Sequence, residues 1–400
     1  MKIVVVHEVS YLDKIIYEYQ ILPEMLSMLG HEITIVDYNE TWRSRSPAGT
    51  RTFDLTTKIY AGTHRAYEAA SVTVRRPGMI RLPLLARISG AITNGLEVRK
   101  VLAQAKPDVI LLYGLPTVGL QSVISGRWYR VPVIFRSIDV LNQLAPRSLA
   151  CITRALESII YRSVDGIVAL TPRLQHHVAS YGVSDSRIRL LPCGVDTSMF
   201  YPGNRNLPLL ARWNIGATDP VILFMGTIYR FSGLDRLIVD FRTILKRYPQ
   251  TKLMVVGWGE DEERLQRLAA EHSVSANVVF TGLQPYSLLP EIIRSCDICI
   301  NPFELNAITR DILPNKVFQY LACGKPLVAT RLPGTEHFLS GERDGVLYTS
   351  LEEVADRILD LIEDSDRRRK LGENAASAIQ QSYDWKKVAQ QMIEMIRELT

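Results

Sequence analysis

At 400 residues, 47% hydrophobic and 22% charged, the chain is longer than the roughly 250–300 residues at which one hydrophobic core stops growing, which argues against a single core and for two well-packed domains. Its formal net charge of +5 is unevenly spread: residues 1–200 carry 23 Lys/Arg against 16 Asp/Glu, or +7, and residues 201–400 carry 24 against 26, or −2. Five cysteines, an odd number in a long chain, and a start (MKIVVVHEVS) without a basic-then-apolar leader pattern predict a reducing cytoplasm.

In chain order, KIVVVH reads as a strand, LPEMLSMLG as part of a helix and EITIVDY as a second strand. Residues 43–100 follow, with 11 Lys/Arg (Arg43, Arg45, Arg51, Lys58, Arg65, Arg75, Arg76, Arg81, Arg87, Arg99, Lys100) and only Asp54, Glu68 and Glu97 as acids. Such a segment suits an anionic membrane surface, a phosphate-bearing acceptor or nucleic acid; a solvated, loop-rich face fits it equally. Within it, MIRLPLLARISGAI sets Arg81 and Arg87 around leucines in a way that suits a bilayer surface. DVILLYG, VPVIFRS, DGIVALT and IRLLPC continue the strands. The charge-free run from Val109 to Gly126 holds Gly114, Pro116 and Gly119 and reads as strand, loop and helix start rather than a membrane span. His176 and His177 fit no metal spacing, and no metal site is expected.

FYPGNRNLP, rich in Pro, Gly and Asn, is taken as the linker. The second half repeats the habit: VILFMGT, the helix LDRLIVDFRTILKRY, KLMVVGWG, the helix DEERLQRLAAEH, then NVVFTG, DICINP, PLVAT and GVLYT. Cys296 and Cys299 spell C-x-x-C, but without a second pair they read as buried thiols beside a strand. Apolar runs without polar alternation are strands buried on both faces, and strand–helix–strand repetition means a parallel doubly wound sheet, here twice. Ligands of such sheets sit beyond the carboxyl ends of strands, so two facing sheets would enclose a cleft. His7, Tyr113, Arg136 and Asp139 occupy such strand ends in the first half. In the second half Gly226, Thr227, Gly257 and Gly282 do so.

The segment ILPNKVFQYLACGKPLVAT, residues 312–330, places a helix of barely two turns between Pro314 and Gly324. The N–H groups near Asn315 and Lys316 then point out of the helix start, where the dipole favours an anion, and Lys316 adds a full charge. Taken alone, the segment fits an ordinary connecting helix with a surface lysine as well. Three further strand–glycine turns support the phosphate site: RLLPCGVDTSMFYP, LFMGTIYRFSGLDRLI, with Arg230 in its loop, and VVGWGEDEERL.

These motifs resemble those of the family-4 glycosyltransferases, over nearly the whole length. LLPCGVDTSMFYP is similar to the family's P-x-G-V-D-x-x-x-F-x-P, VVGWGEDEERL to V-G-x-G-x-x-x-x-x-L and YLACGKPLVAT to A-x-G-K-P-V-V-A-T. SYDWKKVAQQMIEMI resembles the closing helix that returns to the N-terminal domain. The resemblance implies an α/β GT-B fold: a Rossmann-like acceptor domain, residues 1–203 with 384–400, and a Rossmann-like nucleotide-sugar domain, residues 204–383, facing across a cleft. It also implies departures. Thr227 and Ser232 stand where the family commonly has an arginine and a lysine on the diphosphate, and Asp311 and Gln319 stand where it has two glutamates, the second holding the ribose. The first strand lacks the frequent glycine-rich turn, so HEVSYLDK must shape that loop with side chains.

The expectation is a retaining hexosyltransferase moving a sugar from a nucleotide diphosphate sugar to a glycan or lipid-linked acceptor in cell-surface polysaccharide or glycolipid synthesis. Asp311, Lys316 and Arg230 serve catalysis; Gly226, Thr227, Gly257, Gly282, Asn315 and Gln319 bind the donor; His7, Tyr113, Arg136 and Asp139 face the acceptor. No cofactor beyond the donor substrate and no nucleic acid are expected. The setting is cytoplasmic, at the inner face of the membrane if the basic segment meets lipid. A nucleotide-sugar epimerase of the same fold and a non-catalytic glycosyltransferase-like partner are the alternatives.

Overall fold

A computed structural model of the chain describes residues 1–14, 16–38, 53–82, 85–140 and 150–400, the side chains of Ala150 and Asp311 excepted. The chain divides into two compact units, Met1–Pro192 with Trp385–Thr400, and Cys193–Asp384.

In the first unit each expected apolar run is a strand: β1 (Lys2–Val6), β2 (Glu32–Val36), β7 (Val109–Leu112), β8 (Val133–Ser137), β9 (Gly166–Ala169) and β10 (Ile188–Leu190). The polar segment between β2 and β7 adds β3 (Phe53–Asp54), β4 (Lys58–Thr63), β5 (Val72–Arg76) and β6 (Met79–Ile80). The sheet order is β10-β9-β8-β7-β1-β2-β5-β4, parallel except where β4 runs against β5. Helices α1 (Glu18–Met28), α2 (Leu85–Ala105), α3 (Gly119–Tyr129), α4 (Ala150–Ser163) and α5 (Pro172–Ala179) connect it.

Over its described residues, 53–82 and 85–100, the basic segment is therefore not a loop-rich face. Its cations also turn inward more than expected: Arg75 meets Glu97 at 2.5 Å, and Arg76 bridges Asp37 at 2.5 Å and Asp13 at 2.9 Å. Arg65 donates to the carbonyls of Tyr11, Leu12 and Lys14. A cation committed to an internal carboxylate or carbonyl has little left for a lipid headgroup. Arg43, Arg45 and Arg51 lie outside the described residues. No helix among the described residues is long and apolar enough to cross a membrane.

The second unit is a six-stranded parallel sheet in the order β13-β12-β11-β14-β15-β16: β11 (Val221–Met225), β12 (Lys252–Val256), β13 (Val278–Gly282), β14 (Ile298–Asn301), β15 (Leu327–Thr330) and β16 (Val346–Thr349). Its helices include α6 (Leu207–Ala211), α7 (Leu234–Arg247), α8 (Glu262–Glu271), α9 (Leu289–Ser295) and α10 (Asn315–Ala322). Cys296 and Cys299 are both buried. The segment expected to be the linker is instead docked on this unit. Phe200 is fully buried against Tyr286, Arg294 lies over the Tyr201 ring, and Arg205 bonds Asp297 at 2.8 Å. That packing moves the division from the expected 203 to Pro192.

At the carboxyl ends of β11, β12 and β13 the backbones touch. Gly226 N–H donates to Val256 O at 2.8 Å and Gly257 N–H to Gly282 O at 3.0 Å, and a Cβ on Gly257, whose φ is +135°, would stand 2.0 Å from Gly226 O. We predict that Gly257→Ala destabilises the fold by more than about 3 kcal/mol, strain and collision adding. Gly282→Ala, with φ +67° but open space around its Cβ, should lose only about 1–2 kcal/mol. Urea unfolding of both variants measures the difference.

Candidate active site

In the second sheet the strand order reverses between β11 and β14, and such a switch point opens a crevice beyond the carboxyl ends. Lys316, in the first turn of α10, occupies that position. Its Nζ lies 3.8 Å from the ring centre of Phe224, on β11, and 4.2 Å from that of Phe303, just after β14. A Cβ on Gly226 would stand 3.8 Å from the same Nζ. Tyr320, one turn along α10, fixes the helix across the end of β11 by accepting the Met225 N–H at 2.6 Å.

Lys316 is no surface lysine: it is 8% exposed, and among the described residues no carboxylate pairs with it. Burial alone pulls its ammonium well below the ordinary lysine range. The aromatic faces offset part of that desolvation, as cation–π contacts do. In the same unit the side-chain oxygens of Ser232, Asn301 and Asn315 are buried without a hydrogen-bond partner. They come from the turn before α7, the end of β14 and the start of α10; the first two segments touch, since a Cβ on Gly233 would stand 1.9 Å from Pro302 O. Pro314 is the N-cap residue rather than the first helical one, and no side chain caps the start of α10. A buried ammonium beside the uncapped start of α10 is an arrangement that favours an anion.

The structure brings Gly226, Asn315 and Lys316 together, and Gly257 and Gly282 build the backbone ledge beside them. Thr227 is half-buried on the same loop. Arg230 is exposed in the one-turn 3-10 helix Arg230–Ser232, and no described contact joins it to Lys316. Gln319 is half-buried and hydrogen-bonds Tyr286, whose hydroxyl burial pushes above its ordinary range. The side chain of Asp311 lies outside the described residues. Phe224 and Phe303 went unforeseen; an aromatic on a strand gives no sign in sequence of which cation it will face.

In the first unit Tyr113 and Arg136 converge, but on a residue that went unnoticed, Glu18. Arg136 Nε donates to Glu18 Oε1 at 2.6 Å, Nη2 to Oε2 at 3.1 Å, and Nη1 to the Leu191 carbonyl at 2.8 Å. Tyr113 donates to Glu18 Oε1 at 3.3 Å, and desolvation holds its hydroxyl well above the ordinary tyrosine range. Arg136 has no exposed surface, so the expectation that it faces an acceptor gives way to a brace joining β8, α1 and the end of β10. His7 is likewise fully buried, its Nδ1 bonded to Val9 O at 2.7 Å, which places the proton on Nδ1. Asp139 alone of the four is exposed; the protein around it and Glu18 push its carboxyl up to about 6, and its contact with water moderates that shift. The loop after β1 is shaped by side chains, as its lack of glycine requires: Glu8 accepts the Thr117 and Val118 N–H groups at 2.5 and 3.0 Å, and Asp37 accepts that of Tyr11 at 2.7 Å.

Residues 22–199 match the family model described as Glycosyltransferase Family 4, and residues 209–378 match Glycosyl transferases group 1. The chain belongs to the family-4 glycosyltransferases. It is 25% identical over 251 residues to an uncharacterized glycosyltransferase of Methanocaldococcus jannaschii, covering 62% of each chain. It is 29% identical over 258 residues to the D-inositol 3-phosphate glycosyltransferase of Corynebacterium jeikeium, covering 62% of this chain and 60% of that one. The match thus spans about three fifths of the length of these curated relatives. The crystal structure of Anabaena HepE in complex with UDP-glucose superposes with a TM-score of 0.72 at 16% identity, over 99% of each chain, and shares the GT-B fold. Against the family pattern, this member keeps its buried cation on α10 and has Thr227 and Ser232 on the loop after β11.

Two outcomes follow from these environments. The folded state holds Lys316 below its unfolded pKa, so between the two values the unfolded chain binds more protons and stability rises with pH toward the ordinary lysine value of 10.5. In Lys316→Met that rise should flatten, as urea unfolding at stepped pH will register. Glu18→Gln, which leaves Arg136 buried and uncompensated, should destabilise by about 3–5 kcal/mol, and Glu18→Leu with Arg136→Met by less.

Proposed function

We propose that this chain transfers a sugar, with retention, from a nucleotide diphosphate sugar to a glycan or lipid-linked acceptor, in cell-surface polysaccharide or glycolipid synthesis at the inner face of the membrane. The observation that carries the reading is the buried, carboxylate-free Lys316 at the start of α10, against Gly226 and the rings of Phe224 and Phe303. The diphosphate is the anion that would complete it. Family membership supports the reading, and HepE carries UDP-glucose in its crystal structure.

In this reading the anomeric carbon–oxygen bond to the diphosphate breaks while the acceptor hydroxyl bonds to the same face of the sugar. Negative charge grows on the departing phosphate, and the Lys316 ammonium and the α10 N–H groups stabilise it in a site where little water competes. The acceptor proton passes to the departing phosphate oxygen. Arg230, exposed on the loop after β11, is the second cation, in place of the pair replaced by Thr227 and Ser232. Asp311, which takes the place of the family's first glutamate, orients the donor sugar, and Gln319 holds the ribose hydroxyls when it releases Tyr286. Asp139 is the acceptor-side group at the surface.

Calorimetry with nucleoside diphosphates and nucleosides tests the donor site. Lys316→Ala should weaken nucleoside diphosphate binding by about 1.5–3 kcal/mol and leave the nucleoside almost untouched. Equal small losses for both would remove the assignment. Gln319→Leu should lower steady-state transfer and Gln319→Glu preserve it, since leucine leaves buried ribose hydroxyls unpaired.

A further inference from the structure

Three neighbouring helices of the first unit expose apolar stripes at helical spacing. On α2 they are Leu85, Ile88, Ile92 and Leu96; on α3 Leu120, Ile124 and Trp128, the last 81% exposed; on α4 Ile152 and Ile159. These positions recur every three, four or seven residues, so each set lies along one side of its helix. The other sides are already spent on the core, through Ala86, Val98 and Leu102 on α2, Val123 on α3 and Ile160 on α4. The helices lie side by side: a Cβ on Gly95 of α2 would stand 3.0 Å from the Gln121 side chain of α3, and one on Gly119 of α3 2.8 Å from Ile160 of α4.

The charges on these helices have one sign outward. Their only carboxylates, Glu97 and Glu157, are buried, the first on Arg75 and Thr57, the second on Tyr181. The exposed charges are Arg87, Arg99, Lys100, Arg127, Arg154 and Arg162.

We propose that this outward face of α2, α3 and α4 docks the chain on an anionic lipid bilayer. Apolar side chains insert at the level of the acyl boundary, arginines lie among the headgroups, and Trp128 sits at the interface where an amphipathic ring is favoured. Self-association through the same face would set like charges against one another, which disfavours a second copy as the occupant. The proposal extends the lipid-linked acceptor reading but does not use the donor site. It also differs from a role for the whole basic segment, because Arg75 and Arg76 are spent on internal carboxylates.

The test is co-sedimentation of the full chain with vesicles of phosphatidylglycerol in phosphatidylcholine, or of phosphatidylcholine alone, with nucleoside diphosphate binding measured in parallel. Binding to the anionic vesicles should be at least tenfold tighter than to the neutral ones and should fall at least tenfold from low to high salt. It should drop at least tenfold in Ile88→Asp with Ile92→Asp, and in Trp128→Ala. Unchanged circular dichroism and nucleoside diphosphate affinity will show those exposed-site variants intact. Absence of binding to anionic vesicles at low salt overturns the docking face, as does binding indifferent to the substitutions. So does sedimentation velocity showing a dimer that the same substitutions dissociate. Because nucleotide binding is read separately, vesicle binding without it would instead overturn the donor-site reading.

Discussion

A single ammonium buried without a carboxylate sets the terms for the second unit. An uncompensated charge away from water is among the costliest groups a fold can hold, so everything near Lys316 must either mitigate the cost or leave room for the anion that removes it. Phe224 and Phe303 do the first. Gly226 does the second, because any side chain there would begin within 4 Å of the ammonium. The parallel sheet brings these residues together only because the strand order reverses between β11 and β14, where the chain leaves one strand end to each side and α10 closes the gap. Topology, aromatic placement and a bare backbone thus answer one electrostatic problem.

The first unit treats charge in the opposite way. Glu18 receives both arms of Arg136; Glu24 accepts Tyr11 and the N–H groups of Arg65, Ala66 and Tyr67; Asp37 takes Arg76 and the Tyr11 N–H. These buried carboxylates are satisfied from within the fold. The contrast is between carboxylates that the first unit pairs internally and an ammonium that the second unit buries with no carboxylate beside it.

Much of this was legible in the residues. Continuous apolar runs marked the central strands of both sheets because a strand covered by helices on both faces has no polar side to display. Pro314 and Gly324 bracketed α10, since each suits one helix end only. What stayed hidden depended on distant partners. The burial of Lys316 comes from rings on β11 and after β14, and the inward turn of Arg136 from a glutamate on α1. The strands β3 to β6 escaped notice because a segment dense in arginine reads as solvent-facing, whereas Arg75 and Arg76 find carboxylates only once the sheet has formed. The supposed linker had the composition of one, yet Phe200 and Arg205 tie it to the second unit.

The helix α11, Trp385–Leu399, belongs to the first unit although it follows the whole of the second. It packs on α1, and Leu399 fills the space beside Gly166 of β9, where an added Cβ would meet it at 2.8 Å. Its Val388, Met392 and Ile396 are buried. During synthesis the first unit emerges early but stays unfinished, with the surface meant for those side chains uncovered, while the second unit is made and can close. The order of completion on the ribosome is therefore the reverse of the order of emergence, and the seal on the first unit is set only when the chain has come back to it.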